Sequence, residues 1–181
     1  MSTAAERKWS EDDERERTMK APSAKTVAAR ITWRKEKMDE KKDLSGIPVA
    51  EMIKTAARML GKAYTPYSNW KVGAALLSED GKIWGGCNIE NASHGACNCA
   101  ERTAFYSAIS QGEKKFKAIV VLGGKNGIVT DFCAPCGICR QVMMEFCDED
   151  FLVICAINES DYKVFTLKEL LPFGFGPSTL S

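Results

Sequence analysis

The stretch Trp70-Lys71-Val72-Gly73-Ala74-Ala75-Leu76-Leu77-Ser78-Glu79-Asp80-Gly81-Lys82-Ile83-Trp84-Gly85-Gly86-Cys87 reads as two strands around a tight turn. Trp70–Ser78 and Ile83–Cys87 flank Glu79-Asp80-Gly81-Lys82, and an Asp-Gly pair is a strong hairpin signal. Before the hairpin, Val49, Met52, Ile53, Ala56, Ala57, Leu60 and Ala63 mark one face of a helix. It is entered through Pro48, which suits a first helical turn, and Pro66 bars its continuation. After the hairpin, a helix is predicted from about Cys99 to Ser110, ending at Gly112. Ala118–Leu122 reads as a strand broken by Gly123-Gly124. A helix over Gly137–Phe146 then precedes strands at Phe151–Ile157 and Lys163–Thr166. Interleaving of this kind indicates a three-layer α/β domain, with helices on both faces of a mixed five-stranded sheet.

Composition changes near residue 44. Residues 1–43 carry twelve Lys/Arg and ten Asp/Glu with few large apolar side chains, too little surface to offset the cost of ordering. They read as a mobile charged tail, with a transient helix open to Thr26–Met38, followed by one domain over residues 44–181. Across 181 residues, 25 basic side chains against 24 acidic ones leave a net charge of +1. That removes the simplest case for a nucleic-acid binder, which needs surplus Lys and Arg to neutralise phosphate. No apolar run is long enough to span a bilayer, so no membrane partner is expected. The first thirty residues lack an apolar core and carry Glu6 and the acids of Glu11–Glu14, unlike a secretory leader or a mitochondrial transit peptide. Eight cysteines then imply a reducing compartment, where clusters more often bind metal than form disulfides. A cytoplasmic location is expected, with the nucleus left open.

Two segments carry the chemistry: Asn98-Cys99-Ala100-Glu101-Arg102 and Pro135-Cys136-Gly137-Ile138-Cys139-Arg140. Both fall where a loop enters a helix. Cys136 and Cys139 are three apart and share one face of a turn, where the helix dipole and free amides favour thiolates. With Cys99 they offer three soft ligands for tetrahedral zinc, leaving the fourth position to water. Glu101, two residues past Cys99, is placed to take a proton from that water without ligating the metal. Zinc with three thiolates is net −1, and Arg102 and the two helix N-termini are the available counter-charges. Plainer readings coexist. Cys-x-x-Cys alone is often a structural half-site or a redox pair. Glu101 could belong to a capping box begun by Asn98. Cys97 could close a four-cysteine site, although one residue between Cys97 and Cys99 is less than the usual gap.

Cys-Ala-Glu-Arg followed by Pro-Cys-x-x-Cys-Arg-Gln resembles the zinc nucleoside deaminases, in which a non-ligating Glu is known to act as general acid and base. The closer match is to the short, homotetrameric cytidine deaminases. It runs through Pro66-Tyr67-Ser68, Lys71–Leu77, Gly86–Ala92, Asn98–Thr103, Pro135–Gln141 and Leu170-Leu171-Pro172, covering roughly residues 47–177. The resemblance implies a cytidine-deaminase-like fold, a zinc cofactor, a nucleoside substrate, and a homotetramer with shared active sites. The reaction implied is hydrolysis of cytidine and 2′-deoxycytidine in pyrimidine salvage. Glu101 would move protons, and the Ala134 carbonyl would hold the departing ammonia. It further implies that Asn88 and Glu90 bind the ribose hydroxyls, beside Asn91 and Ala92, and that Ala100 offers backbone groups to the pyrimidine.

Trp70 stands where the family usually has Phe in the base pocket, and a larger ring there could stack, narrow the pocket, or sit in the core. His94, the only histidine, stands where the family commonly has Tyr and otherwise reads as exposed. Phe175, just before Gly176-Pro177, would reach a neighbour's pocket; without the resemblance it reads as a cap on its own core. Asn88–Asn91 likewise reads as a polar strand exit. Cys97 and Cys133 are spare thiols near the ligands, while Cys87, Cys147 and Cys155 read as buried small hydrophobes. Rival functions are a polynucleotide cytosine deaminase, which usually has a His ligand and a basic groove, a blasticidin-type deaminase, and a structural-zinc module.

Overall fold

The computed structural model describes residues 42–180. The charged segment 1–41, with its candidate helix, lies outside the described residues. Helix α1 (Val49–Leu60) is followed by the hairpin β1 (Trp70–Ser78) and β2 (Ile83–Cys87), α2 (Ala100–Ile109), β3 (Phe116–Lys125), α3 (Gly137–Phe146), β4 (Leu152–Ala156), β5 (Tyr162–Thr166) and a short α4 (Leu167–Leu170). The five strands are ordered β2-β1-β3-β4-β5, antiparallel except for the parallel β3–β4 pair. Among the described residues no helix is long and apolar enough to cross a membrane.

The sheet is apolar on both faces because alternate side chains of a strand point opposite ways. Ala74, Leu76, Ile119, Val121 and Val153 pack with Ala104 and Phe105 of α2 and Met143 of α3. Their neighbours Ala75, Leu77, Ala118, Val120 and Ile154 pack with Met52, Ile53 and Ala56 of α1. A three-layer arrangement follows.

Two glycines set how closely the helices approach. A Cβ on Gly73 would lie 2.0 Å from the carbonyl oxygen of Ala56, and one on Gly86 would lie 2.2 Å from that of Ala100. Backbone therefore rests on backbone where α1 crosses β1 and α2 crosses β2. The glycine pair expected to break β3 does not break it: the strand continues through Gly123 and Gly124 to Lys125, paired with β1 to its first residue. A Cβ on Gly124 would lie 1.9 Å from the Ile128 carbonyl oxygen, so this glycine admits the return of the following loop rather than ending the strand. Helix α4 is a further difference. It is capped by Thr166, whose hydroxyl accepts from Glu169 N while the Glu169 carboxylate accepts from Thr166 N, a reciprocal pair that stabilises even one turn. Of the residues read as tail, Lys42 donates to that same carboxylate at 2.7 Å, and Asp43 accepts from Ser45 N.

Candidate active site and metal centre

Two helix N-termini meet at the site. Cys99 is the N-cap of α2 and Cys136 the N-cap of α3; both are extended, and neither spends its side chain on a capping bond. Both thiols are therefore free to turn toward one another, and Cys139 joins them from one turn further into α3. The Sγ atoms of Cys99 and Cys136 are 3.8 Å apart, and those of Cys136 and Cys139 are 3.5 Å apart. Tetrahedral zinc with bonds of about 2.3 Å requires sulfurs about 3.8 Å apart. All three sulfurs lie within 4.8 Å of one another, and zinc fits the space they enclose.

Electrostatics favour a cation here. The Cys139 thiol, the Arg102 guanidinium and Cys136 together hold Cys99 down to about 5, against the opposing effect of burial. Cys139 is pushed up, first by its hydrogen bond to Cys99 and then by burial. Three sulfurs this close cannot all ionise unless a positive charge sits among them. Arg102 supplies part of that charge: one terminal nitrogen lies 3.7 Å from Cys99 Sγ and 3.1 Å from the Cys97 carbonyl. Burial pushes Cys133 up to about 11 and Cys155 up to about 12.

Cys97 is not in the cluster. Its sulfur accepts from Asn91 N at 3.3 Å and faces the Asn91 carbonyl at 3.6 Å, so the four-cysteine reading is set aside. The capping-box reading of Glu101 fails as well, because the N-cap of α2 is Cys99, and the Asn98 amide donates instead to Thr103 Oγ1 at 3.1 Å. Thr103 in turn donates to the Cys87 carbonyl at 3.0 Å, tying α2 to the end of β2. Glu101 is thus a carboxyl only 4% exposed, beside the sulfurs. Burial pushes its pKa up, and negative charge on Cys99 adds to the effect.

The chain leaving β2 lies beside this centre. Ile89 exchanges backbone hydrogen bonds with Asn98, while Tyr64 pairs with the same segment from its other side. Asn88 and Glu90 are thereby brought next to the start of α2. The Asn88 amide clamps β1, accepting from Val72 N and donating to the Trp70 carbonyl, both at 2.8 Å. Half its hydrogen-bonding capacity remains. Asn91, Ala92 and His94 are exposed, with the His94 ring 6.5 Å from that of Tyr67. Trp70 is 46% exposed at the head of β1, not in the core. Ala100 is buried, its carbonyl turned to Gly86. The Phe175 ring is 57% exposed, so it does not cap its own domain's core.

Sequence reasoning gives no task to Ser68, Arg140 or Gln141, though all three lie inside its motif blocks. Arg140 donates from Nε to the Pro135 carbonyl at 2.8 Å and from Nη1 to the Leu170 carbonyl at 2.6 Å. Gln141 donates to the Phe175 carbonyl at 2.8 Å. The turn carrying Cys139 therefore also holds the C-terminal segment. Side chains that serve distant carbonyls leave no periodic signal, and a charged residue beside a ligand cysteine was the one available hint.

Residues 48–155 match the pattern of the cytidine and deoxycytidylate deaminase zinc-binding region. The chain belongs to this deaminase family. A cytidine deaminase of Sporosarcina psychrophila is 44% identical over 133 residues, spanning 74% of this chain and 95% of its own length. One from Halalkalibacterium halodurans is 46% identical over 124 residues, spanning 68% and 91%. The crystal structure of cytidine deaminase from Burkholderia pseudomallei superposes with a TM-score of 0.64 at 46% identity, covering 69% of this deaminase and 97% of the other chain. The expected fold is confirmed, and zinc is the cofactor of the family.

Proposed function

We propose that the protein hydrolyses cytidine and 2′-deoxycytidine to uridine and 2′-deoxyuridine with release of ammonia, in pyrimidine salvage. The observation that carries this is the buried Glu101 carboxyl, free of any capping role, beside three convergent thiols. Cys99, Cys136 and Cys139 would hold zinc, which supplies the Lewis acidity that makes an attacking water acidic near neutral pH. Glu101 takes a proton from that water and delivers it to N3 of the ring as oxygen bonds to C4. Its raised pKa suits a group that must both accept and donate. It then carries the second proton to the amine, the C4–N bond breaks, and ammonia leaves past the Ala134 carbonyl. Arg102 offsets the charge of the thiolates.

Asn88 and Glu90 bind the sugar hydroxyls, with Asn91, Ala92 and His94 beside them. Trp70 and the Ala100 backbone face the base. Residues 44–181 form the catalytic domain. The exposed rings of Tyr67, Trp70, Phe173 and Phe175 are what a subunit that shares its pocket would present, and they support a homotetramer in which Phe175 serves a neighbour. Eight free thiols support a reducing cytoplasmic location.

The test is uridine formation from cytidine with and without a zinc chelator. Activity that the chelator leaves intact would overturn the reading. For the assembly, inactive Glu101→Gln chains mixed with Phe175→Ala chains should regain activity in sites built from two subunits. An active monomer by light scattering would refute sharing.

A further inference from the structure

One short loop sends three donors to a single carboxylate. Glu90 Oε2 accepts from Tyr67 N at 2.9 Å and from Ser68 N at 3.2 Å, while its Oε1 accepts from the Ser68 hydroxyl. The same hydroxyl oxygen accepts from Trp70 N at 2.9 Å, so Ser68 joins the carboxylate to the first residue of β1. Both amides grip Oε2; only the hydroxyl fixes Oε1, and with it the plane of the carboxylate.

We propose that Ser68 is a positioning residue that locks the Glu90 carboxylate so that it has room for one sugar hydroxyl and no second. This rests on the reading of Glu90 as a sugar contact. An ionised carboxylate accepts at about four lone-pair positions, and three are already taken. The Ser68 hydroxyl and the Tyr67 amide also hold the Glu90 carboxyl below the usual range, keeping it an acceptor. The loop does not depend on Ser68 for its path. Asn69 adopts a left-handed φ of 56°, donates to the Thr65 carbonyl at 3.2 Å, and accepts from Asn126 N at 2.7 Å. Removing the hydroxyl therefore frees Oε1 and leaves the exposed Trp70 N to water, while the Asn69 bonds and the two amides on Oε2 keep the loop in place.

The test compares cytidine, 2′-deoxycytidine and 3′-deoxycytidine as substrates of the full zinc-loaded chain, its Ser68→Ala and Ser68→Thr variants, Glu90→Gln, and the Ser68→Ala/Glu90→Gln double variant. Of the two hydrogen bonds that Ser68→Ala removes, the one donated to the charged Glu90 should raise the cytidine KM about tenfold, with kcat within about twofold. Ser68→Thr, which keeps the hydroxyl, should restore it. One of the two deoxynucleosides, the one lacking the hydroxyl that Glu90 accepts, should show less than about a twofold KM response. The double variant should be no worse than Glu90→Gln, because the two residues act through one group. An equal KM rise on all three nucleosides, or additive losses in the double variant, would overturn the role of Ser68. If Ser68→Ala does not fold, the Ser68→Thr and Glu90→Gln profiles decide: a uniform KM rise in Glu90→Gln refutes the single hydroxyl. A wild-type chain inactive on every nucleoside would overturn the proposed function and this inference together, whereas the other failures leave the function standing.

Discussion

Gly86→Ala should damage the active site without altering any residue assigned to it. The new Cβ would sit 2.2 Å from the Ala100 carbonyl oxygen and 2.5 Å from Ala104 N, where ordinary contact begins at 3.4 Å. Relief from 2.2 to 3.4 Å requires a shift of about 1.2 Å, and both obstructing atoms are helix backbone that cannot turn aside. Helix α2 must lift off β2, carrying Cys99 at its N-cap and Glu101 in its first turn. Overpacking of this kind costs about 1–3 kcal/mol, or roughly 3–12 °C in melting temperature for a domain of this size. A misplacement of about 1 Å in the reacting groups costs on the order of 100-fold in turnover. The assay is kcat on cytidine beside a thermal melt, with zinc per chain measured to tell displacement of Cys99 from displacement of Glu101. Gly61→Ala is the control: Gly61 is already right-handed helical, and its Cβ would meet only the Arg58 carbonyl oxygen, at 3.4 Å. Wild-type melting and turnover in Gly86→Ala would refute the claim that α2 rests on β2 at this residue.

Glu101→Gln should keep zinc and melting temperature while losing about 100- to 10,000-fold in kcat, since a buried amide cannot carry protons; near wild-type turnover would return Glu101 to a structural role. Cys99→Ala, Cys136→Ala and Cys139→Ala should each abolish stoichiometric zinc by elemental analysis, whereas Cys97→Ala keeps it because its sulfur faces Asn91. For Glu169, burial alone would raise the pKa, but Lys42 and the Thr166 amide outweigh it and hold the group below 4.5. Its stabilisation is therefore present above pH 4.5 and lost as pH falls through the folded-state value, so chemical denaturation should show Glu169→Gln flattening the acid limb. Deleting residues 1–41, which spares Lys42, should leave kcat and KM unchanged; a large loss with the domain still folded would make the segment part of the site.

Most of the architecture is written locally. The Asp80-Gly81 turn and the apolar runs beside it place β1 and β2 at their observed ends, and the spacing of Val49, Met52, Ile53 and Ala56 places α1. Cys136 and Cys139 share a turn because three residues of helix bring them to one face, which the spacing alone dictates. Packing decides what spacing cannot. Spacing favours Cys99 as the ligand but leaves Cys97, two residues before it and likewise 37 or more from Cys136, open as a fourth. Residues two apart in an extended segment share a face, so local geometry does not separate them; in the folded domain, where α2 packs on Gly86, Cys99 lies in the cluster and Cys97 against Asn91. Gly123-Gly124 reads as a strand end because glycine punctuates chains, yet the loop at Ile128 needs that bare backbone and the strand runs on. Ser68, Arg140 and Gln141 gain their tasks from carbonyls and carboxylates brought near by folding, through contacts 22, 30 and 34 residues apart in sequence. Local sequence sets dihedral angles and faces, and the close approach of backbones across the sheet decides which groups meet.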